Sequence, residues 1–194
     1  MPLKKLPRVF YLQPTLQVAR NLLGKFLVRR LKGRLLVGKI VEVEAYRGSI
    51  DPASHAYRGK TKRNEVMFRE GGHLYVYFTY GMHFCANVVT REQGIGEAVL
   101  LRAVEPVKGI DLMARNRRKG ASSKELTNGP AKFCQAFGIA RKENGTDLLG
   151  DAIFIVERNK IPRSRIGSSE RVGINSAKEK KWRFFVKGND WVSR

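Results

Sequence analysis

The stretch KFLVRRLKGRLLVGKIVEVEAY, residues 25–46, decides the fold class. Lys25 to Leu31 and Arg34 to Tyr46 are both β-like runs, and Lys32-Gly33 between them is a turn signal, so the pair reads as a hairpin. Within the second run, Ile40-Val41-Glu42-Val43-Glu44-Ala45-Tyr46 alternates strictly. Strand geometry then puts Glu42, Glu44 and Tyr46 on one face and Val41, Val43 and Ala45 on the other. Alternating Val and Glu is also what a solvated sheet face shows, so this segment alone leaves both readings open.

Working outward, Leu16, Ala19, Leu22 and Leu23 recur at helical spacing before Gly24. Pro52 to Asn64 is polar and irregular and reads as a loop. Leu74 to Tyr80, Phe84 to Thr90 and Glu97 to Glu105 are three further strands, with Gly81 and Gly94-Ile95-Gly96 at the turns. Pro106 to Arg118 is predicted to be a helix, Gly120 to Lys124 a mobile surface loop, and Pro130 to Phe137 a second helix closed by Gly138. Ala152 to Val156 and Trp182 to Lys187 complete the strands, and the Gly/Ser/Arg-rich region between them shows no clear periodicity. Hairpins come first and no regular βαβ alternation follows. This predicts an α+β fold on an antiparallel sheet, with residues 1–194 forming one domain.

Charge narrows the function. The chain carries 38 Lys plus Arg against 17 Asp plus Glu, a formal net charge of +21. Self-repulsion of that size points to a polyanionic partner, and nucleic acid is the commonest. The simpler alternative is a solvated basic surface that aids solubility. Cys85 and Cys134 have no CxxC spacing and lie in apolar runs, as buried thiols of a reducing compartment do. No apolar stretch approaches the roughly 20 residues that span a bilayer. A cytoplasmic or nucleoid-associated protein is expected.

Three segments could carry chemistry. Glu42, Glu44 and Tyr46 form the first. In the second, Leu74 to Tyr80, Tyr75 and Tyr77 share a face and Tyr80 sits beside Gly81 at a turn. Such rings are often core, but in a basic protein they also stack on bases or wedge between them. The third is Arg102, which interrupts the apolar run Leu100-Leu101-Arg102-Ala103-Val104. An unpaired buried guanidinium is very costly, so Arg102 needs a partner. Glu44 would satisfy it, and the cation would in turn keep the carboxylate charged, ready to orient a water. His55, His73 and His83 show no ligand spacing with cysteines or carboxylates, and no phosphate-binding glycine loop occurs. Neither a metal nor a cofactor is expected.

At these residues the sequence resembles the alkyladenine (3-methyladenine, or methylpurine) DNA glycosylase family. The matching blocks are VEVEAYRG (41–48), DPASHAYRGKTKRNEVMF (51–68), LYVYFTYGMHFCANV (74–88), AVLLRAVEP (98–106), LTNGPAKFCQAFGI (126–139), DLLGD (147–151), RVGI (171–174), WRFFVKG (182–188) and WVS (191–193). They follow the family's order between residues 41 and 193. The resemblance implies a compact domain around a curved antiparallel sheet and a monofunctional base-excision enzyme. Its partner would be double-stranded DNA carrying damaged purines, namely 3-methyladenine, 7-methylguanine, hypoxanthine or ethenoadenine, and it would act as a monomer that leaves the abasic site intact.

Glu44 matches the family's general base and Arg102 the arginine that helps hold the attacking water. Tyr46 matches the ring on one face of the flipped base, and His55 and Tyr77 the pair on the other. Ala53 and His55 lie where backbone groups read the base edge, and Asn87 matches the residue that collides with the 2-amino group of guanine. Tyr80 matches the side chain inserted into the duplex, and Val172 and Ile174 belong to the segment of backbone contacts to water and base. Arg115 to Lys119 and Arg158 to Arg171 are candidate phosphate contacts. Two rivals remain. A non-catalytic basic nucleic-acid-binding protein would explain the charge but not Glu44, Arg102 and the rings. A nuclease or RNA-modifying enzyme is the other, although a nuclease would normally cluster metal-binding carboxylates.

Overall fold

In the computed structural model, residues 4–79, 81–120, 123, 125–158 and 160–193 are described. The hairpin at the head of the sequence is present. β1 (Phe26–Leu31) pairs antiparallel with β2 (Arg34–Arg47), and Leu31 faces Arg34 across the turn. Lys32 and Gly33 both have positive φ, 50° and 73°, the conformation of a two-residue turn that matches strand twist.

β2 is the spine. Along one edge it pairs with β5 (Glu97–Lys108). Along the other it pairs first with β1 and then, at Glu42 to Glu44, with β8 (Arg183–Val186). β3 (Leu74–Thr79) and β4 (His83–Thr90) extend the sheet beyond β5, β6 (Ile153–Val156) lies outside β1, and β7 (Ile166–Ser169) pairs with β8. All pairings are antiparallel. A 14-residue strand that changes partner halfway must bend to do so, and the sheet curves around it. The fold is α+β, as expected.

The two faces divide as β2 alternates. Val41, Val43 and Ala45 join Leu101, Ala103, Val99 and Ala86 in the main core. There they pack with Val18, Ala19 and Leu22 of α2 (Thr15–Leu22) and with Phe133 and Phe137 of α4 (Pro130–Phe137). The opposite face is covered by the long β2–β3 connection. Its Ala56, Val66 and Met67 pack on Tyr75, Val89 and Ala98 in a second, smaller cluster. Met67 and Tyr75 of that smaller cluster also line a cleft on this face.

Three segments differ from the sequence reading. Residues 106–108 continue β5, and the helix α3 spans only Ile110–Arg117. Pro106 lies opposite Gly38, where the β2–β5 register shifts, and such an irregularity accommodates a residue with no N–H. Gly109, at φ 79°, makes the turn, and a Cβ there would meet Leu36 and the Leu35 carbonyl within 2.7 Å. A four-residue helix α1 (Arg8–Tyr11) precedes α2, and β7 lies in the stretch without periodicity. Of the expected 120–124 loop, residues 121, 122 and 124 lie outside the described residues. No helix among the described residues is long and apolar enough to cross a membrane.

Candidate active site

Four strands present one row of side chains to the covered face. Glu44 stands opposite Leu100, Leu100 opposite Asn87, and Asn87 opposite Tyr75. Two residues away, Tyr77 lies opposite Cys85. Above this row opens a cleft of about 450 Å³ lined by Tyr46, Ala53, His55, Tyr77, Asn87 and Arg102, among others, and closed on one side by Val172 to Asn175. The β2–β3 connection thus contributes both the second apolar cluster and one wall, Ala53 and His55. Of the residues singled out in the sequence, Tyr80 lies outside the described residues. Tyr46, Ala53, His55, Tyr77, Asn87, Arg102, Val172 and Ile174 line this cleft, whereas none of Arg115 to Lys119 or Arg158 to Arg171 is among its described lining residues.

Glu44 lies directly behind the cleft with no exposed surface. Its Oε1 accepts from the Val172 N–H at 2.8 Å and faces Arg102 Nη1 at 3.2 Å. Its Oε2 accepts the Tyr46 hydroxyl at 2.9 Å. Among the described residues, Oε1 thus takes one hydrogen bond and the Arg102 charge, and Oε2 takes one hydrogen bond, short of the roughly four that an ionised carboxylate can accept. Val172 therefore meets the site through its N–H on the carboxylate.

Arg102 pairs with Glu44 as expected, but not with Glu44 alone. Its Nε donates to Glu42 at 3.0 Å and its Nη2 to the Ser193 hydroxyl at 3.2 Å. The register irregularity between Ile40 and Val43 leaves Val41 and Arg102 out of the regular pairing, which aims the guanidinium between two acids of one strand. Burial works against the charge of Arg102, but Glu44 and Glu42 beside it more than compensate and hold it ionised.

The aromatic wall is tightly connected. The Tyr75 and Tyr77 rings stack at 5.6 Å, the His55 ring meets Tyr77 edge-on at 4.5 Å, and His55 Nδ1 lies 3.1 Å from the Tyr75 hydroxyl. Burial first, then the Arg63 cation, holds the His55 imidazole below its ordinary 6.5, so it is neutral at pH 7. Burial pushes the Tyr46 and Tyr77 phenols up, and Glu44 adds to the effect in both. Asn87 is buried and gives its amide N–H to the Tyr75 carbonyl at 3.2 Å, which fixes its orientation.

Sequence reasoning missed a buried ion pair that supports these walls. Arg171 binds Asp51 bidentately at 2.5 and 2.8 Å, donates to the Ala45 carbonyl at 3.0 Å, and lies 4.7 Å behind the Tyr46 ring. Both side chains are fully buried. Asp51 also accepts the N–H groups of Arg47 and Ala53. Arg171 is therefore not available to phosphate, which removes it from the candidate contacts. No local pattern in sequence links positions 120 residues apart. Glu42 carries a comparable hidden role, holding Arg102, Arg183 and Ser193 together.

The sequence profile of the methylpurine-DNA glycosylase (MPG) family matches residues 9–190. A protein of Carboxydothermus hydrogenoformans is 54% identical over 190 residues, covering 97% of this chain and 98% of that protein. One from Clostridium acetobutylicum is 48% identical over 200 residues, covering 97% of each chain. One from Francisella tularensis is 47% identical over 183 residues, covering 93% of this chain and 94% of that protein. All three carry the name "Putative 3-methyladenine DNA glycosylase".

Proposed function

Because the chain belongs to the methylpurine-DNA glycosylase family and is a DNA glycosylase of base-excision repair, we propose that Glu44 activates water to cut damaged purines from duplex DNA. The substrates are 3-methyladenine and 7-methylguanine, together with the deaminated or etheno-bridged purines hypoxanthine and ethenoadenine. The single observation that carries this reading is a fully buried carboxylate held by Arg102, Val172 and Tyr46 at the back of an aromatic cleft.

A base inside a duplex is shielded, so the nucleotide is extruded first. Between Tyr46 on one wall and Tyr77 with His55 on the other, a cationic alkylated purine gains cation–π attraction of about 1–2 kcal/mol once desolvated. A neutral His55 is the right neighbour, since a charged imidazole would repel that base. Attraction alone does not reject guanine, and the fixed Asn87 amide supplies the clash with its 2-amino group. Tyr80 fills the gap left in the duplex. Ala53 and Ile174 offer backbone groups to the base edge.

Bond cleavage leaves positive charge on the sugar. Glu44 stabilises that charge across the cleft and accepts a proton from water bound at Oε2, while Arg102 and Val172 keep the carboxylate aimed. The cations among the described cleft-lining residues are the arginines Arg63 and Arg102. A guanidinium forms no Schiff base with the sugar, which supports hydrolysis without strand cleavage. The charge of +21 supplies non-specific affinity for the phosphate backbone. The chain acts on this DNA as a single-domain monomer in the cytoplasm, near the nucleoid.

The test is incubation with duplexes each carrying one of the four lesions, scoring free base by chromatography and strand integrity on gels. Release of free base, with strands broken only after alkali, supports the reading. Strand breaks without alkali, or binding with no release, would overturn it in favour of a nuclease or a passive binding protein.

A further inference from the structure

Behind Glu44 lies a second acid that the proposed reaction does not use. Glu42 is fully buried, and its two oxygens accept four donors. These are Arg183 Nε at 2.6 Å, Arg102 Nε at 3.0 Å, the Ser193 N–H at 2.7 Å and the Ser193 hydroxyl at 2.8 Å. Arg183 is itself fixed by the Ser169 hydroxyl and the Ser193 carbonyl, both at 3.0 Å.

The charges in this cluster balance. Glu42 and Glu44 supply two negative charges, and Arg102 and Arg183 supply two positive. Among the described residues, the other titratable groups facing it are Tyr46 on β2, Tyr77 on β3 and Cys85 on β4, with Arg171 behind Tyr46. Burial raises Tyr46, Tyr77 and the Cys85 thiol above their ordinary values, so at neutral pH none of the three carries charge. Arg171 is matched by Asp51. Arg183 is therefore the charge that neutralises the second carboxylate. Without it, two buried acids would compete for one guanidinium, and two carboxylates that share a site do not both stay ionised.

We propose that Arg183 and Ser193 are positioning residues for catalysis. By satisfying Glu42, they free Arg102 to hold Glu44 in its charged, water-orienting form. Neither side chain is among the described cleft-lining residues, so Arg183 acts through Glu42, and Ser193 through Glu42 and Arg102. The proposal rests on Glu44 being the base.

The experiment is single-turnover release of 7-methylguanine from duplex DNA, followed from acid to neutral pH, with lesion-duplex binding measured alongside. Arg183→Met is expected to move the acid limb of the rate profile upward by about one unit, a roughly tenfold loss on that flank, while binding is unchanged. Arg183→Lys is expected to restore the limb. So is the double variant Arg183→Met with Glu42→Gln, which leaves one acid for one cation. An unmoved limb in Arg183→Met, or a double variant no better than the single, would overturn the proposal. If Arg183→Met does not fold, Ser193→Ala decides. A slower rate at unchanged binding, rescued by Ser193→Thr, supports the proposal, and an unchanged rate refutes it. A wild-type protein that releases no base would instead refute the glycosylase reading beneath it.

Discussion

Asp51→Ala is expected to damage this protein more than any surface substitution, although Asp51 touches no substrate. The change leaves the Arg171 guanidinium buried, with its carboxylate gone and its Nε already lacking a partner. Breaking such a pair from one side costs about 3–5 kcal/mol. The N–H groups of Arg47 and Ala53, each 3.2 Å from Asp51, lose their acceptor as well, for about 1 kcal/mol more in total. A loss of about 4–6 kcal/mol is a large share of the roughly 5–15 kcal/mol that holds a domain together. For a chain of this length it lowers Tm by on the order of 10–20 °C.

Thermal melts of the two proteins, followed by circular dichroism, measure the loss. The double variant Asp51→Leu with Arg171→Met removes both charges and is expected to recover much of the stability, because apolar replacement of a whole pair is close to neutral. It is not expected to recover base release, since Tyr46 loses the guanidinium behind its ring. A Tm shift below about 3 °C in Asp51→Ala would show that the pair does not anchor the cleft walls, and the reasoning would fall.

Two further outcomes are expected. Because the His55 imidazole is held below 6.5 in the folded protein, the unfolded chain takes up its proton first. Stability is therefore unaffected above that value and declines as pH falls from it toward the lower folded value. Binding of a cationic lesion weakens at lower pH still, where the imidazole of the folded protein itself takes up a proton, and an affinity titration should show His55→Phe abolishing that weakening. At Gly38, a Cβ would lie 2.8 Å from Val104 and 2.9 Å from Phe137, so Gly38→Ala overpacks the α4 contact and should cost about 1–3 kcal/mol in urea unfolding. No change in the midpoint would mean that α4 moves aside freely.

How much of this was legible in sequence depends on range. Alternation is local, so the face shared by Glu42, Glu44 and Tyr46 could be read directly, and it survives the register irregularity between them. The need of Arg102 for an acid was also legible, because a charge in an apolar run states its own requirement. Which acid it meets was only half legible. Glu42 and Glu44 share parity, and the strand irregularity that lets one guanidinium reach both leaves no mark in composition. Ser193, Arg183 and Arg171 were invisible as supports, since each finds its carboxylate partner 120 residues or more away. Pro106 misled for a related reason. A proline signals a break locally, whereas the shifted register opposite Gly38 exists only once two strands meet.

The central claim is that the buried carboxylate at position 44 supplies the chemistry and not the grip. Glu44→Gln keeps the shape of the side chain, so single-turnover base release and lesion-duplex affinity should be measured on that variant together. Release is expected to fall by about 10²- to 10⁴-fold, with affinity retained. Release at the wild-type rate would contradict it outright.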